Sequence, residues 1–118
     1  MRTAISRWLT AEGYEVLAAK DGREGLDLFY LHRPALIICD ILMPGRDGLE
    51  TIGALRDARV PVPIIAMSEV FTDAVLLLET ATMIGADAAI LKPLSGGKLL
   101  ETVASLLPPA NPSAPPAG

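Results

Sequence analysis

The chain carries one cysteine, Cys39, among 118 residues. That leaves no internal disulfide and suits a reducing cytoplasm. It has no second Cys or nearby His to build a metal site, so Cys39 reads as a small buried apolar residue. Neither charge sign dominates. Ten basic residues face fourteen acids, the net charge is −4 and the pI is near 4.8. This gives no basic footprint for nucleic acid and no run of like charge. No stretch reaches the roughly 18 apolar residues of a membrane span. The opening Met1-Arg2-Thr3-Ala4 lacks the apolar core of a signal peptide. We therefore expect one soluble, mildly acidic domain working in the cytoplasm, with no nucleic-acid or membrane partner.

Short apolar runs alternate with helix-period segments. Tyr14–Ala19, Ala35–Asp40, Pro63–Ser68 and Ala88–Lys92 read as strands. The second and third are apolar at nearly every position, as in strands covered by helices on both faces. Helices are expected over Arg2–Glu12 (stripe Ile5, Trp8, Leu9) and Gly22–Arg33 (stripe Leu26, Phe29, Tyr30). Asp21 caps the second, and Pro34 stops it. Gly48–Ala58 follows Asp47 as a cap, Thr72–Ile84 ends at Gly85, and Lys98–Leu107 ends at Pro108-Pro109. From Pro108 on, only Pro, Ala, Ser, Asn and Gly occur, so residues 108–118 should be a disordered tail to a domain over 1–107. The alternation predicts an open parallel α/β sheet, whose function gathers at the carboxyl ends of its strands.

Three apolar runs stop on residues with chemistry: Asp40, Ser68 and Lys92. Each alone has a plain structural explanation. Asp40 could cap a turn, Ser68 could open one, and Lys92 could be a surface lysine that keeps its ammonium in water. Their falling together at one edge of consecutive strands is harder to explain that way. A carboxylate, a hydroxyl and an ammonium are what phosphoryl transfer asks for: a nucleophile, a hydrogen-bond donor and a counter-charge.

The stretch Asp40-Ile41-Leu42-Met43-Pro44-Gly45-Arg46-Asp47-Gly48-Leu49 closely resembles the phosphoacceptor loop of two-component response-regulator receiver domains. Ile64–Ser68 is similar to their fourth strand and Lys92-Pro93-Leu94 to their lysine–proline motif. The resemblance runs from residue 1 to about Leu107. It implies a CheY-like, flavodoxin-like three-layer sandwich with a parallel sheet. It implies Asp40 as phosphoacceptor, Ser68 as hydroxyl switch, Lys92 as the cation paired with the phosphate, and Mg²⁺ held by Asp40 and the backbone carbonyl of Leu42. It also implies a sensor histidine kinase or phosphotransfer protein upstream and a protein target downstream. Such a domain assists its own phosphotransfer but is a switch, not a turnover enzyme. Met43-Pro44 and Gly48 would serve loop geometry, with Pro44 fixing φ and Gly48 relieving a close approach.

Two departures stand out. The family opens with a strand ending in an acidic pair that helps hold Mg²⁺, and in its 2-1-3-4-5 order that strand is central. Here strand and pair are missing as written, which weakens the expected Mg²⁺ site and leaves strand edges unpaired. We expect a lost N-terminal segment, with a degenerate pseudo-receiver acting as an interaction module, or a homodimer of exchanged strands, as the rivals. Asp21 lies at a strand's carboxyl end near that vacancy, but reads as a helix cap. Second, Ala89 stands where receivers commonly carry an aromatic residue, so coupling from Ser68 to the face formed by Thr72–Ile84, Ala88–Leu91 and Lys98–Leu107 should be altered. That face carries Val75-Leu76-Leu77-Leu78, and four successive apolar residues cannot all face a core, so one or two should reach the surface as a partner contact.

Other phosphate chemistry fits less well. A dehalogenase-type phosphatase needs a second Asp where Leu42 stands, Ser95-Gly96-Gly97-Lys98 lacks the glycine spacing of a phosphate loop, and His32 sits at a helix end, poorly placed for a phosphohistidine relay.

Overall fold

The computed structural model describes residues 2–19, 21–41, 47–69, 74–92 and 96–107. The expected tail, Leu42 to Arg46 and Pro93-Leu94 lie outside them. Element order is α1 (Arg2–Ala11), α2 (Gly22–His32), β1 (Ile37–Asp40), α3 (Asp47–Asp57), β2 (Ile64–Glu69), α4 (Ala74–Ile84), β3 (Ala88–Lys92) and α5 (Gly96–Leu106). Each strand begins or ends within a residue or two of its expected place.

The three strands form one sheet in the order β1-β2-β3, all parallel. Alternation along β2 divides the core. Ile64 and Ala66 pack with Phe29 of α2, Ile52 and Leu55 of α3, and Leu78 and Ala81 of α4. Ile65 and Met67 pack on the other face with Leu9 of α1, Ile90 of β3, and Leu99 and Val103 of α5. A period of two in a strand between two helical layers produces this division and explains why β2 is apolar from Ile64 to Met67.

Local chemistry sets the helix ends. The Asp21 carboxylate accepts a hydrogen bond from the Glu24 amide at 2.9 Å, capping α2 as expected. Arg33 closes α2 in the left-handed region (φ 49°), and its amide donates to the Phe29 carbonyl at 2.7 Å, one residue before Pro34. Gly85 takes φ 144° after α4, a conformation that favours glycine. A β-carbon there would also collide with the Arg56 side chain. That arginine ties three elements together. Its Nε donates to the Gly85 carbonyl at 3.0 Å, its Nη1 to the Val60 carbonyl, and its Nη2 to Asp87 Oδ2 at 2.9 Å. The same Asp87 oxygen accepts from the Ile64 amide at 2.8 Å, fixing the start of β2.

Three expectations need correction. Tyr14–Ala19 is not a strand: it takes part in no sheet of the described residues. Its side chains still alternate between part-buried (Tyr14, Val16) and exposed (Glu15, Leu17), and Tyr14 and Val16 rest on the α1–α5 cluster. The apolar alternation is genuine, but a strand exists only through a hydrogen-bonded neighbour, and among the described residues β1 pairs with β2 alone. Tyr30 does not complete the core stripe of α2. It is exposed, with its ring edge against Phe29 at 5.3 Å between centroids. Cys39 is only half-buried. By contrast, the run Val75-Leu76-Leu77-Leu78 divides as helical periodicity requires, with Val75 and Leu76 exposed, Leu77 part-buried and Leu78 buried.

Candidate functional site

Asp40 closes β1, Ser68 is the penultimate residue of β2, and Lys92 closes β3. The register aligns them. Asp40 lies beside Met67, the residue before Ser68. Ser68 lies beside Leu91, the residue before Lys92. Neighbouring strands sit about 4.8 Å apart, so the three backbone positions climb across one sheet edge, one strand and one residue at a time. The sheet thus brings together the three residues singled out from the sequence. Leu42 lies outside the described residues.

The ladder is held beyond its last formal pair. The Ile41 amide donates to the Met67 carbonyl at 2.8 Å, and Ile41 is buried in the α2–α3–α4 cluster. This fixes the backbone on the far side of Asp40. Asp40 itself is exposed. It ends a strand whose one paired neighbour among the described residues is β2. Ser68 is wholly buried. No buried side-chain oxygen or nitrogen among the described residues lacks a hydrogen-bond partner, so its hydroxyl is satisfied where it stands.

Gly48 shapes the opposite wall. A β-carbon on it would lie 2.9 Å from the Asp40 carbonyl oxygen and equally close to the Ile41 α-carbon. The first turn of α3 can therefore lie against the end of β1 only with glycine at this position, the close approach expected from the sequence. A contact not foreseen adds to it: the Cys39 thiol donates weakly to the Gly48 carbonyl at 3.6 Å. No sequence signal announces that pair, because it depends on where α3 returns after the intervening loop.

The metal expectation finds less support. Asp21 is engaged as the cap of α2. Among the described residues no group of three or more His, Cys, Asp or Glu side chains is gathered as a metal ion requires. The described residues do not amount to a Mg²⁺ site. No helix among them is long and apolar enough to cross a membrane.

A parallel sheet with helices on both faces, folded as this chain is, has many counterparts among solved structures. The family model described as the response regulator receiver domain matches residues 1–104. The chain belongs to that family. Among solved structures, the receiver domain of NtrX from Brucella abortus superposes with a TM-score of 0.81 at 24% identity, over 89% of this chain and 88% of that one. The chemotaxis protein CheY4 of Vibrio cholerae is 31% identical with a TM-score of 0.78, covering 90% and 88%. A CheY-like receiver domain protein from Methanospirillum hungatei JF-1 is 27% identical with a TM-score of 0.77, covering 88% and 82%. The flavodoxin-like, CheY-like fold expected from the sequence is therefore the fold of this receiver domain. Receiver domains generally work in two-component systems as signalling switches, not as turnover enzymes.

Proposed function

We propose that this receiver domain accepts a phosphoryl group on Asp40 from the phosphohistidine of a sensor kinase or phosphotransfer protein, and signals by protein contact. The observation that carries this reading is the register that sets Asp40, Ser68 and Lys92 on successive parallel strands at one edge. A carboxylate oxygen of Asp40 attacks phosphorus and the P–N bond to imidazole breaks. The imidazole keeps the electron pair and takes a proton from water, and the product is an acyl phosphate. Exposure of Asp40 lets a donor approach in line. The Lys92 ammonium offsets the added charge, and the Ser68 hydroxyl leaves its present partner to donate to a phosphoryl oxygen. Family members generally engage Mg²⁺ through acidic residues. In this chain Asp40 and the Leu42 carbonyl are the donors we assign to it, and we expect weak binding. We assign the work to the cytoplasm, a reading that the single cysteine supports. The outer edge of β1 is where a strand exchanged from a second copy would add.

Incubation with acetyl phosphate and Mg²⁺ tests the proposal by intact mass. One phosphoryl group should appear, and Asp40→Asn should abolish it. Absence of the adduct at high Mg²⁺ would leave a module that binds partners without phosphate.

A further inference from the structure

Two apolar features lie outside the site. One is a groove of about 270 Å³ between α4 and β3, lined by Val75, Leu78, Glu79, Thr82, Ala89 and Leu91. It is smaller than most small-molecule sites and suits a single inserted side chain. Its rim is apolar and open: Val75 is 59% and Leu91 38% exposed. Ala89 leaves its floor shallow of side chain. Glu79 is the only charged residue of α4. The second feature is the end of α2. Leu31 is 74% exposed there, beside exposed Tyr30. Arg33 is held next to them, with its guanidinium 5.0 Å from the Tyr30 ring centroid and 5.4 Å from that of Phe29. Its backbone is fixed by the capping bond to Phe29. A cation is thus pinned beside an exposed leucine, while the groove sets an anion within an apolar lining.

We propose that copies of this chain associate head to tail, Leu31 of one filling the α4–β3 groove of the next and Arg33 meeting Glu79. The complementarity of the two patches selects a second copy as occupant. An apolar anchor seated in a pocket supplies most of the energy of such a contact, and the flanking charges set its register. Because knob and groove lie on different helices, with α3 between them in the helical layer, each added copy leaves one groove and one leucine free. The contact therefore builds chains or rings. It is independent of phosphoryl transfer and of any strand exchange at β1.

Light scattering and sedimentation over a range of concentrations test this on the 118-residue chain. Mean mass should rise past that of a dimer. Leu31→Asp and Val75→Asp both alter exposed positions, and each should weaken association roughly tenfold or more, with far-UV circular dichroism showing the fold intact. Mixed in equal amounts, the two variants should form a dimer and stop there, since one intact leucine then meets one intact groove. A wild-type chain monomeric throughout overturns the proposal. So does either variant associating like the wild type, which would point to strand exchange or another face, and so does a mixture that stays monomeric.

Discussion

β1 and β2 are written in the same apolar alphabet, yet only β2 is sealed. Ile64, Ile65, Ala66, Met67 and Ser68 are all buried, whereas Ile37, Ile38 and Cys39 are half-buried and Asp40 is exposed. The difference lies in their neighbours. β2 has a strand on each side and helices on both faces, while among the described residues β1 pairs on one side only. An apolar run reports that a strand wants two covered faces. It does not report whether both covers and both neighbours are there. The exposed side is also where the acidic residue of the candidate site sits.

This contrast can be broken most severely by cutting each strand alike. Ile65→Ala should cost about 2–5 kcal/mol, the usual range for truncating a buried isoleucine, and Ile38→Ala about half as much. Urea unfolding of both variants measures this, and equal losses would show that β1 is sealed after all. Next in size is Gly48→Ala, at about 1–3 kcal/mol, because the added methyl meets the buried Ile41 side chain and also the backbone of Asp40 and Ile41, which cannot turn aside. An unchanged thermal melt would mean that α3 moves freely against the end of β1.

Arg56→Ala should follow at about 1–2 kcal/mol. It removes donors from the Gly85 and Val60 carbonyls. The ion pair to Asp87 adds little, since the carboxylate is well exposed and keeps its bond from the Ile64 amide. Hydrogen exchange at Ile64 should therefore stay slow in this variant, and fast exchange would show that Arg56 is needed to hold Asp87. Asp21→Ala is the mildest, at about 0.5–1 kcal/mol for a lost cap. It acts at the start of α2, at the opposite end of that helix from Phe29, and should leave exchange in β2 untouched. A loss spreading into β2 would tie the two regions together more closely than the sheet order implies.

Much of this was legible in the chain before folding. The helices were visible because caps and stops are local: Asp21, Pro34 and Gly85 act within a turn of their own position. The candidate site was visible because parallel strands end in chemistry at one edge, and Asp40, Ser68 and Lys92 closed three runs. What stayed hidden depends on distant partners. Tyr14–Ala19 has a strand's alternation, but no local rule supplies its neighbour. Tyr30 fits the stripe of α2 yet lies outside the core because the layer is filled by Phe29. Arg56 and Asp87 are 31 residues apart, and only the return of the chain from α4 to β3 makes them meet.

Beryllofluoride with Mg²⁺, followed by backbone amide NMR, addresses the site most directly. If the three strand ends form one phosphoryl-accepting site, the amides of residues 40, 68 and 92 should shift together, and Asp40→Asn should abolish all three shifts. Shifts confined to the surroundings of Asp40, or none at saturating Mg²⁺, would contradict it.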